Sequence, residues 1–435
     1  MEKTHRKWQQ MQLGEIYLGP SRNGVSRPSR VRGTGVKMVN MNELFSYSRI
    51  DNPEMELVPM NEKEYEIYSL KKGDLLFARQ SLVASGAGKC SVVLSAPEKT
   101  TFESHLIRVR IDTTKANPFF YYYYFTSPIG IAKTQSLVMQ VAAAGIRASE
   151  LAKLVVDYPP KCEQDTIVAL LEKYDYLIEN NSRRIRFLES VVNLIYNEWF
   201  TKFNFPNPEK VKMVDSELGK IPKGWEVKKI SDVATITKGL SYKSENLVDD
   251  GKIAFITLKC IERGGGFRYN GLKRFEGDFK EKHQVLEGDI VMAVTDMTQN
   301  RVVVARVARV PRLNENTMII SMDLVKVNAK DNIDKTWLYG LLNYSDFGIK
   351  MKEFANGVNV LHLKSNSIEE YSFVLPDEKT RRGYSKIISN IYQQIDVLQL
   401  KNLNLTSTRD ILLPKLMSGK LDVSELDINV TPVEA

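Results

Sequence analysis

The densest basic stretch in the first half of the chain is Ser21-Arg-Asn-Gly-Val-Ser-Arg-Pro-Ser-Arg-Val-Arg, which carries Arg22, Arg27, Arg30 and Arg32. Side chains of this type neutralise phosphates, and Arg, Asn or Gln that reach base edges in the major groove can read sequence. A second signal is positional. Arg79-Gln80-Ser follows Leu70-Lys-Lys-Gly-Asp-Leu-Leu-Phe-Ala, and Asp296-Met-Thr-Gln-Asn-Arg follows Val285-Leu-Glu-Gly-Asp-Ile-Val-Met-Ala. Arg79, Gln80, Gln299, Asn300 and Arg301 are therefore the favoured base readers. Gly145-Ile-Arg147 and Gly357-Val-Asn359 are read as a third matched pair, with Arg147 and Asn359 at its ends. Lys89 adds charge in the first half, and Lys259, Arg263, Arg268, Lys273 and Arg274 are expected to line a second site. Any one of these residues, taken alone, also fits an ordinary solvated side chain; the case rests on the loops.

No catalytic constellation competes with this reading. Asn117-Pro-Phe-Phe is superficially similar to the Asn-Pro-Pro-Phe/Tyr loop of adenine methyltransferases, but the corresponding residues of the second half are Lys335, Thr336, Trp337 and Leu338. A helix start with proline in its first turn explains Asn117-Pro118 better. Gly86-Ala-Gly-Lys and Gly264-Gly-Gly lack the P-loop pattern and read as turns. The four histidines have neither metal nor triad spacing, and Glu62-Lys-Glu-Tyr-Glu reads as a solvated face. No metal site and no cofactor are expected in this chain. Three scattered cysteines (Cys90, Cys162, Cys260) suggest neither a disulfide framework nor zinc, and point to a reducing cytoplasm. No apolar run is long enough to span a membrane, and Met1-Glu-Lys-Thr-His-Arg-Lys lacks a signal peptide's apolar segment. The net charge of +8 and pI near 9.0 permit nucleic-acid binding without proving it.

What positions these loops is a duplication. Trp8 opens Trp-Gln-Gln-Met-Gln-Leu-Gly-Glu-Ile and Trp225 opens Trp-Glu-Val-Lys-Lys-Ile-Ser-Asp-Val, an offset of 225 − 8 = 217. Met38-Val-Asn-Met answers Phe255-Ile-Thr-Leu at the same offset, Gly73 answers Gly288, and Gly130 answers Gly348. A proline-bounded strand closes each copy, Lys153 to Pro159 and Tyr371 to Pro376. Each copy mixes short β-rich runs with short helices, and its turns are marked by glycine and Asp/Asn-Pro pairs. A chain of 435 residues is in any case too long for one core.

Each copy ends in a long apolar heptad. The first runs Ile167, Leu171, Tyr174, Ile178, Asn181, Ile185, Leu188, Val192, Ile195, Trp199. The second runs Ile388, Ile391, Ile395, Leu398, Asn402, Leu405, Leu412, Leu416, broken by Arg409. A 3.5-residue period keeps one seam facing a partner helix, and at ~1.5 Å per residue the first helix is on the order of 55 Å long. The two are expected to pair with each other, antiparallel. Asn181 and Asn402 lie 221 residues apart on the two seams. Near a pseudo-twofold axis they would face each other and select register; the alternative is two unrelated solvent-facing asparagines. The fold class is thus α/β (α+β): two tandem-duplicated globular domains separated by two long antiparallel helices that form an intramolecular coiled coil. The limits read from the sequence are 1–158 and 215–376 for the domains, 159–202 and 377–420 for the helices, 203–214 for a proline-bearing linker and 421–435 for a polar tail.

Four stretches resemble type I restriction-modification specificity (S) subunits. Ser216-Glu-Leu-Gly-Lys-Ile-Pro-Lys-Gly-Trp-Glu-Val-Lys-Lys-Ile-Ser-Asp-Val looks like the opening of a target recognition domain. Pro159-Pro-Lys-Cys-Glu-Gln-Asp-Thr-Ile resembles the start of the family's central helix, and Asn197-Glu-Trp-Phe-Thr-Lys-Phe its end. Leu412-Leu-Pro-Lys-Leu-Met-Ser-Gly-Lys-Leu is similar to the C-terminal signature. Two departures stand out. The second helix opens Pro376-Asp-Glu-Lys-Thr-Arg-Arg without the Glu-Gln pair, which puts its starting point in question. Copy two is also longer between Gly357 and Pro376 (376 − 357 = 19 against 159 − 145 = 14). The resemblance implies a non-catalytic reader of double-stranded DNA, each domain taking one half of an asymmetric two-part target and the helices setting the gap. It further implies two methyltransferase (M) subunits docked on the helices and motor-nuclease (R) subunits for restriction, in a prokaryotic cytoplasm. S-adenosylmethionine, ATP and Mg²⁺ would be held by those partners. A specificity subunit of another restriction system, or a two-domain scaffold that binds no DNA, are the alternative readings.

Overall fold

Strand register, more than strand number, shows how the chain is built. The computed structural model describes residues 8–139, 144–206, 212–298, 300–313 and 315–423. It divides into two units, Met1–Glu179 with Leu403–Ala435, and Asn180–Asn402. The division runs through both long helices, Lys161–Tyr196 and Glu378–Met417.

In the first unit a five-stranded sheet runs in the order Arg22–Asn23, Leu106–Val109, Leu75–Ala78, Cys90–Ser95, Arg49–Asp51. A three-stranded sheet holds Val36–Val39 between Glu56–Val58 and Thr100–Phe102. Gln9–Gln12 pairs with Val155–Tyr158 and closes the domain. The helix Pro118–Thr126 buries seven consecutive aromatic rings, Phe119 to Phe125. It can do so because sheet residues such as Phe77 and Ile107 share its core with Ile167 and Leu171 of the first long helix and Leu413 and Leu416 of the second.

The second unit repeats these registers. Glu226 pairs with Leu375 as Gln9 pairs with Tyr158, both members shifted by 217. The parallel pair Met38–Thr101 returns as Phe255–Ile319, and Leu75–Val109 returns as Ile290–Val327. Glycine is needed twice at the same place: a Cβ at Gly24 would lie 2.1 Å from the Phe102 carbonyl oxygen, and one at Gly239 2.2 Å from that of Ser321. The core here centres on Trp337 and Leu338 of the helix Lys335–Tyr344, packed against Val192, Tyr196, Tyr384 and Ile388 of the long helices.

Both long helices start two residues after the closing proline, at Lys161 after Pro159 and at Glu378 after Pro376. Different side chains stabilise the two starts in the same way. Gln164 Nε2 donates to the Pro159 carbonyl at 2.8 Å, and Arg381 Nε donates to the Pro376 carbonyl at 3.0 Å. The Trp8 indole donates to Glu163 at 3.2 Å, and that of Trp225 to Asp377 at 3.1 Å. The missing Glu-Gln pair is replaced by Asp377 and Arg381, so the helix start does not move.

Within the second unit the helices are antiparallel: Asn181 meets Asn402, while Tyr196 meets Tyr384 with ring centroids 6.1 Å apart. Asn181 Nδ2 donates to Asn402 Oδ1 at 2.9 Å, and Asn402 Nδ2 donates to Ser182 at 3.1 Å. Ile395 and Leu398 are buried here, and Ile185 and Leu188 are partly buried against the same core. Ile178 and Leu405 are half-buried in the first unit. The heptad needs two corrections. At its end Tyr196 is more deeply buried than Ile195 or Trp199, and Asn197–Thr201 widens into a π-helical turn. Near its start Asp175, not Tyr174, takes the buried position. Asp175 Oδ2 accepts from Arg49 at 2.7 Å and from the Tyr123 hydroxyl at 2.5 Å, and its Oδ1 accepts from Arg409 at 2.6 Å. The residue that breaks the second heptad is thus one arm of an Arg-Asp-Arg triad around a buried carboxylate. Burial works against both guanidinium charges, but the carboxylate between them outweighs it and holds both pKa values above their ordinary range.

The counterpart of Asp175, 221 residues on, is Asp396, which pairs with Arg309. By register Arg309, opposite Ile290, stands where Val92 stands opposite Leu75. Val92 in turn neighbours Arg49 on the next strand. The acid is duplicated, whereas the arginine has moved over by one strand.

Candidate nucleic-acid interface

Four backbone segments converge at one edge of the first domain. The Arg79 amide donates to His105 O at 2.8 Å, and the Ile146 amide donates to Arg79 O at 2.9 Å. Gln80 pairs with Gly145 across two short strands, and its side-chain oxygen lies 3.1 Å from His105 Nδ1. Ser104 donates its amide to Val25 O at 3.0 Å, which brings the start of the arginine-rich loop alongside. Arg79, Gln80, His105 and Arg147 are therefore neighbours on one edge, and Arg147 is exposed at the start of the helix Ala148–Lys153.

The second domain builds this edge with the same hydrogen bonds. The Val294 amide donates to Asp323 O at 2.9 Å, the Leu363 amide to Val294 O at 2.8 Å, and the Met322 amide to Leu240 O at 2.8 Å. Thr295 pairs with His362 as Gln80 pairs with Gly145. The match of Gly145 with Gly357 is therefore wrong. Gly145 corresponds to His362, and Arg147 to Lys364, which likewise precedes a short helix, Ser365–Glu369. Asn359 instead lies exposed in the segment between Asn356 and His362, which exchange amide hydrogen bonds as Met139 and Gly145 do, both pairs related by the offset of 217. The extra residues of copy two came from the glycine match alone, since 376 − 362 and 159 − 145 are both 14. The helix-capping residues are likewise one step from the sequence match: Asn117 corresponds to Asp334, and each accepts from the amide two residues on, at 2.9 Å.

The other candidates fall into two groups. Arg22, Arg30, Lys259, Arg263, Lys273 and Asn300 are exposed. Several others are engaged within the protein. Arg27 binds Glu64 at 2.8 Å and the Pro59 carbonyl, Arg32 pairs with Glu56, and Arg274 binds Glu315 at 2.6 Å. Arg268 donates to Asn270, Arg79 to Ser104 O at 3.3 Å, and Lys89 to Phe45 O while lying over the Phe45 ring. These pairs hold loops in shape, and each must be broken or shared for its cation to reach a phosphate. Gln299 lies outside the described residues.

Arg301 adopts a left-handed backbone (φ 53°) on a loop that Asp296 organises. This buried carboxylate accepts from the Thr298 amide and hydroxyl (2.8 and 2.7 Å) and from the amides of Val303 and Val304 (2.6 and 3.1 Å). Burial alone would raise its pKa, but these donors outweigh it and hold the carboxyl below the usual carboxylate range. Met297 on this loop is 75% exposed and Leu82 at the equivalent place is fully exposed, so both loops put an apolar side chain in solvent.

Sequence reasoning missed His105, Thr295, Asp323 and Lys364. None lies in a basic cluster, and each joins the edge only through strand pairing. Among the described residues no group of three or more His, Cys, Asp or Glu side chains could hold a metal ion. No helix there is long and apolar enough to cross a membrane.

Two α/β domains repeated in register, each ending in a long helix that pairs with the other, define a duplicated scaffold whose variable feature is its edge loops. The family model of the type I restriction modification DNA specificity domain matches residues 6–214 and 222–407, and the chain belongs to that family. It is 28% identical to the type I restriction enzyme MjaIX specificity subunit of Methanocaldococcus jannaschii, over 65% of this chain and 64% of that protein. The match thus spans just under two thirds of that relative's length. It is 22% identical to a putative type I restriction enzyme MjaX specificity subunit of the same organism, over 96% of this chain and 94% of the relative. The fold is similar to the crystal structure of a type I restriction-modification system S subunit from M. genitalium, with a TM-score of 0.57 at 14% identity, covering 96% of this chain and 97% of the other.

Proposed function

We propose that this chain is the non-catalytic DNA-recognition subunit of a type I restriction-modification enzyme. Each domain, 1–158 and 215–376, reads one half of a two-part duplex target, and the paired helices set the gap between the halves, as half-site spacing follows protein geometry. One observation carries this reading: the same edge is built twice by the same hydrogen bonds, but with Arg79, Gln80, His105 and Arg147 in one copy and Val294, Thr295, Asp323 and Lys364 in the other. Equal scaffolds with unequal side chains suit two different half-sites, so the target is not a palindrome. The exposed cations Arg22, Arg30, Arg147, Lys259, Arg263 and Lys273 supply phosphate contacts.

The helices also present apolar side chains to solvent. Phe187 and Leu194 are 69% and 63% exposed, and Tyr176, Val397 and Ile411 are exposed as well. Surfaces of this kind mark protein contacts, and two methyltransferase subunits are the proposed occupants, with motor-nuclease subunits beyond them. S-adenosylmethionine, ATP and Mg²⁺ belong to those partners, and the cytoplasm is the compartment that fits. The test is to reconstitute the chain with its cognate methyltransferase subunits, methylate a random plasmid library and sequence the modified sites. A non-palindromic motif of two specified halves around a fixed gap is expected; a single continuous motif, or none, overturns the reading.

A further inference from the structure

The edge of the second domain carries an acid where its sister carries a histidine. Asp323 and His105 are equivalent by hydrogen bonding: each offers its backbone oxygen to the residue that follows the central strand, Val294 at 2.9 Å and Arg79 at 2.8 Å. Asp323 Oδ1 accepts from the buried Thr295 hydroxyl at 3.0 Å, which fixes the carboxylate. That bond uses one oxygen and leaves Oδ2 as an acceptor on a half-exposed side chain. Among the described residues no Lys, Arg or His forms an ion pair with it. Beside it Met322 is 52% exposed and His362 is exposed, so the group stands on an open edge.

A negative charge on a DNA-facing edge repels every phosphate, whatever the sequence. It is compatible with tight binding only where it meets a hydrogen-bond donor. In the major groove the base edges present donors at two places alone, the exocyclic amino groups of cytosine (N4) and adenine (N6). We propose that Asp323 is a specificity-determining residue, accepting a hydrogen bond from such an amino group in the second half-site, with Thr295 as its positioning residue. This rests on the DNA-reading function proposed above. On the sister edge Arg79 is a donor-only group suited to guanine O6 and N7, while Gln80 can both donate and accept, so the two edges differ in the chemistry they can read.

The test uses the complex with the methyltransferase subunits, comparing methylation motifs of the wild-type protein with Asp323→Asn, Asp323→Ala and Thr295→Val. Every base pair carries one such amino group, so the position concerned is the one that Asp323→Ala relaxes, and whether the wild type fixes it as A·T or G·C tells N6 from N4. Asp323→Ala should relax that position alone, with discrimination falling roughly ten-fold or more, while the other half-site and the gap stay unchanged. The near-isosteric Asp323→Asn keeps an acceptor and adds a donor. It should bias the position towards adenine, which Asn contacts bidentately. Thr295→Val should give a smaller relaxation at the same position. An unchanged motif in all three folded variants overturns the assignment. So does affinity that rises equally for all duplexes, the behaviour of a merely repulsive surface acid. A wild-type complex that yields no two-part motif would sink the DNA-reading proposal itself, an outcome distinct from either.

Discussion

Gln164 and Arg381 do the same work with different chemistry. Each lies five residues past the proline that closes its domain and donates back to that proline's carbonyl, at 2.8 and 3.0 Å. Each then ties the helix to the edge of the aromatic-helix segment: Gln164 accepts from the Asn117 amide at 2.9 Å, and Arg381 donates to Asn332 O at 2.9 Å. Both are buried. Arg381 also lies over the Trp337 ring at 5.6 Å.

Arg381→Ala should therefore leave two carbonyls without their donor and destabilise the second unit by about 2–3 kcal/mol. Arg381→Gln restores the chemistry used at Gln164 and should cost about 1 kcal/mol. Urea melts of the two variants check this, and equal losses would refute the equivalence.

Asp175 sits between Arg49 and Arg409 with the Tyr123 hydroxyl on the same oxygen as Arg49. Without the carboxylate Arg49 keeps Glu179 as its acidic partner, at 3.2 Å, and Arg409 keeps Asp410, at 2.8 Å, so Asp175→Asn should lower stability by about 1.5–3 kcal/mol. Because Asp175 itself is only 4% exposed, the loss should change little between low and moderate salt, unlike that of a surface pair. Denaturation curves at two ionic strengths measure both the size and the salt response.

The Asp296 carboxyl is held below its ordinary pKa in the folded protein. An acid depressed in this way contributes stability that is complete above its unfolded value, about 3.9, and is lost as the pH falls through the lower folded value. Protection of the Val303 and Val304 amides against hydrogen exchange should thus persist at pH ~4.5. In Asp296→Asn it should drop at every pH, with about 1–3 kcal/mol of local stability lost. Wild-type protection that already fails near pH 5 would contradict the hydrogen-bond account.

Much of the fold can be read from the residues alone. Hydrophobic periodicity and the 217-residue offset depend on local spacing, so they expose the duplication, the closing strands, the two long helices and the two asparagines at 181 and 402. Basic loop composition points to a polyanion partner for the same reason. What local spacing does not carry is which residues meet across strands. Only the registers Gln80–Gly145 and Thr295–His362 show that Arg147 answers Lys364, that Gly357 and Asn359 do not answer Gly145 and Arg147, and that His105 and Asp323 share one place. Arg409 reads as a fault in a heptad until Asp175 and Arg49, distant in sequence, turn it into part of a triad around a buried carboxylate. Pairing energies of this kind depend on distances between residues far apart in the chain, and those distances are settled by tertiary packing.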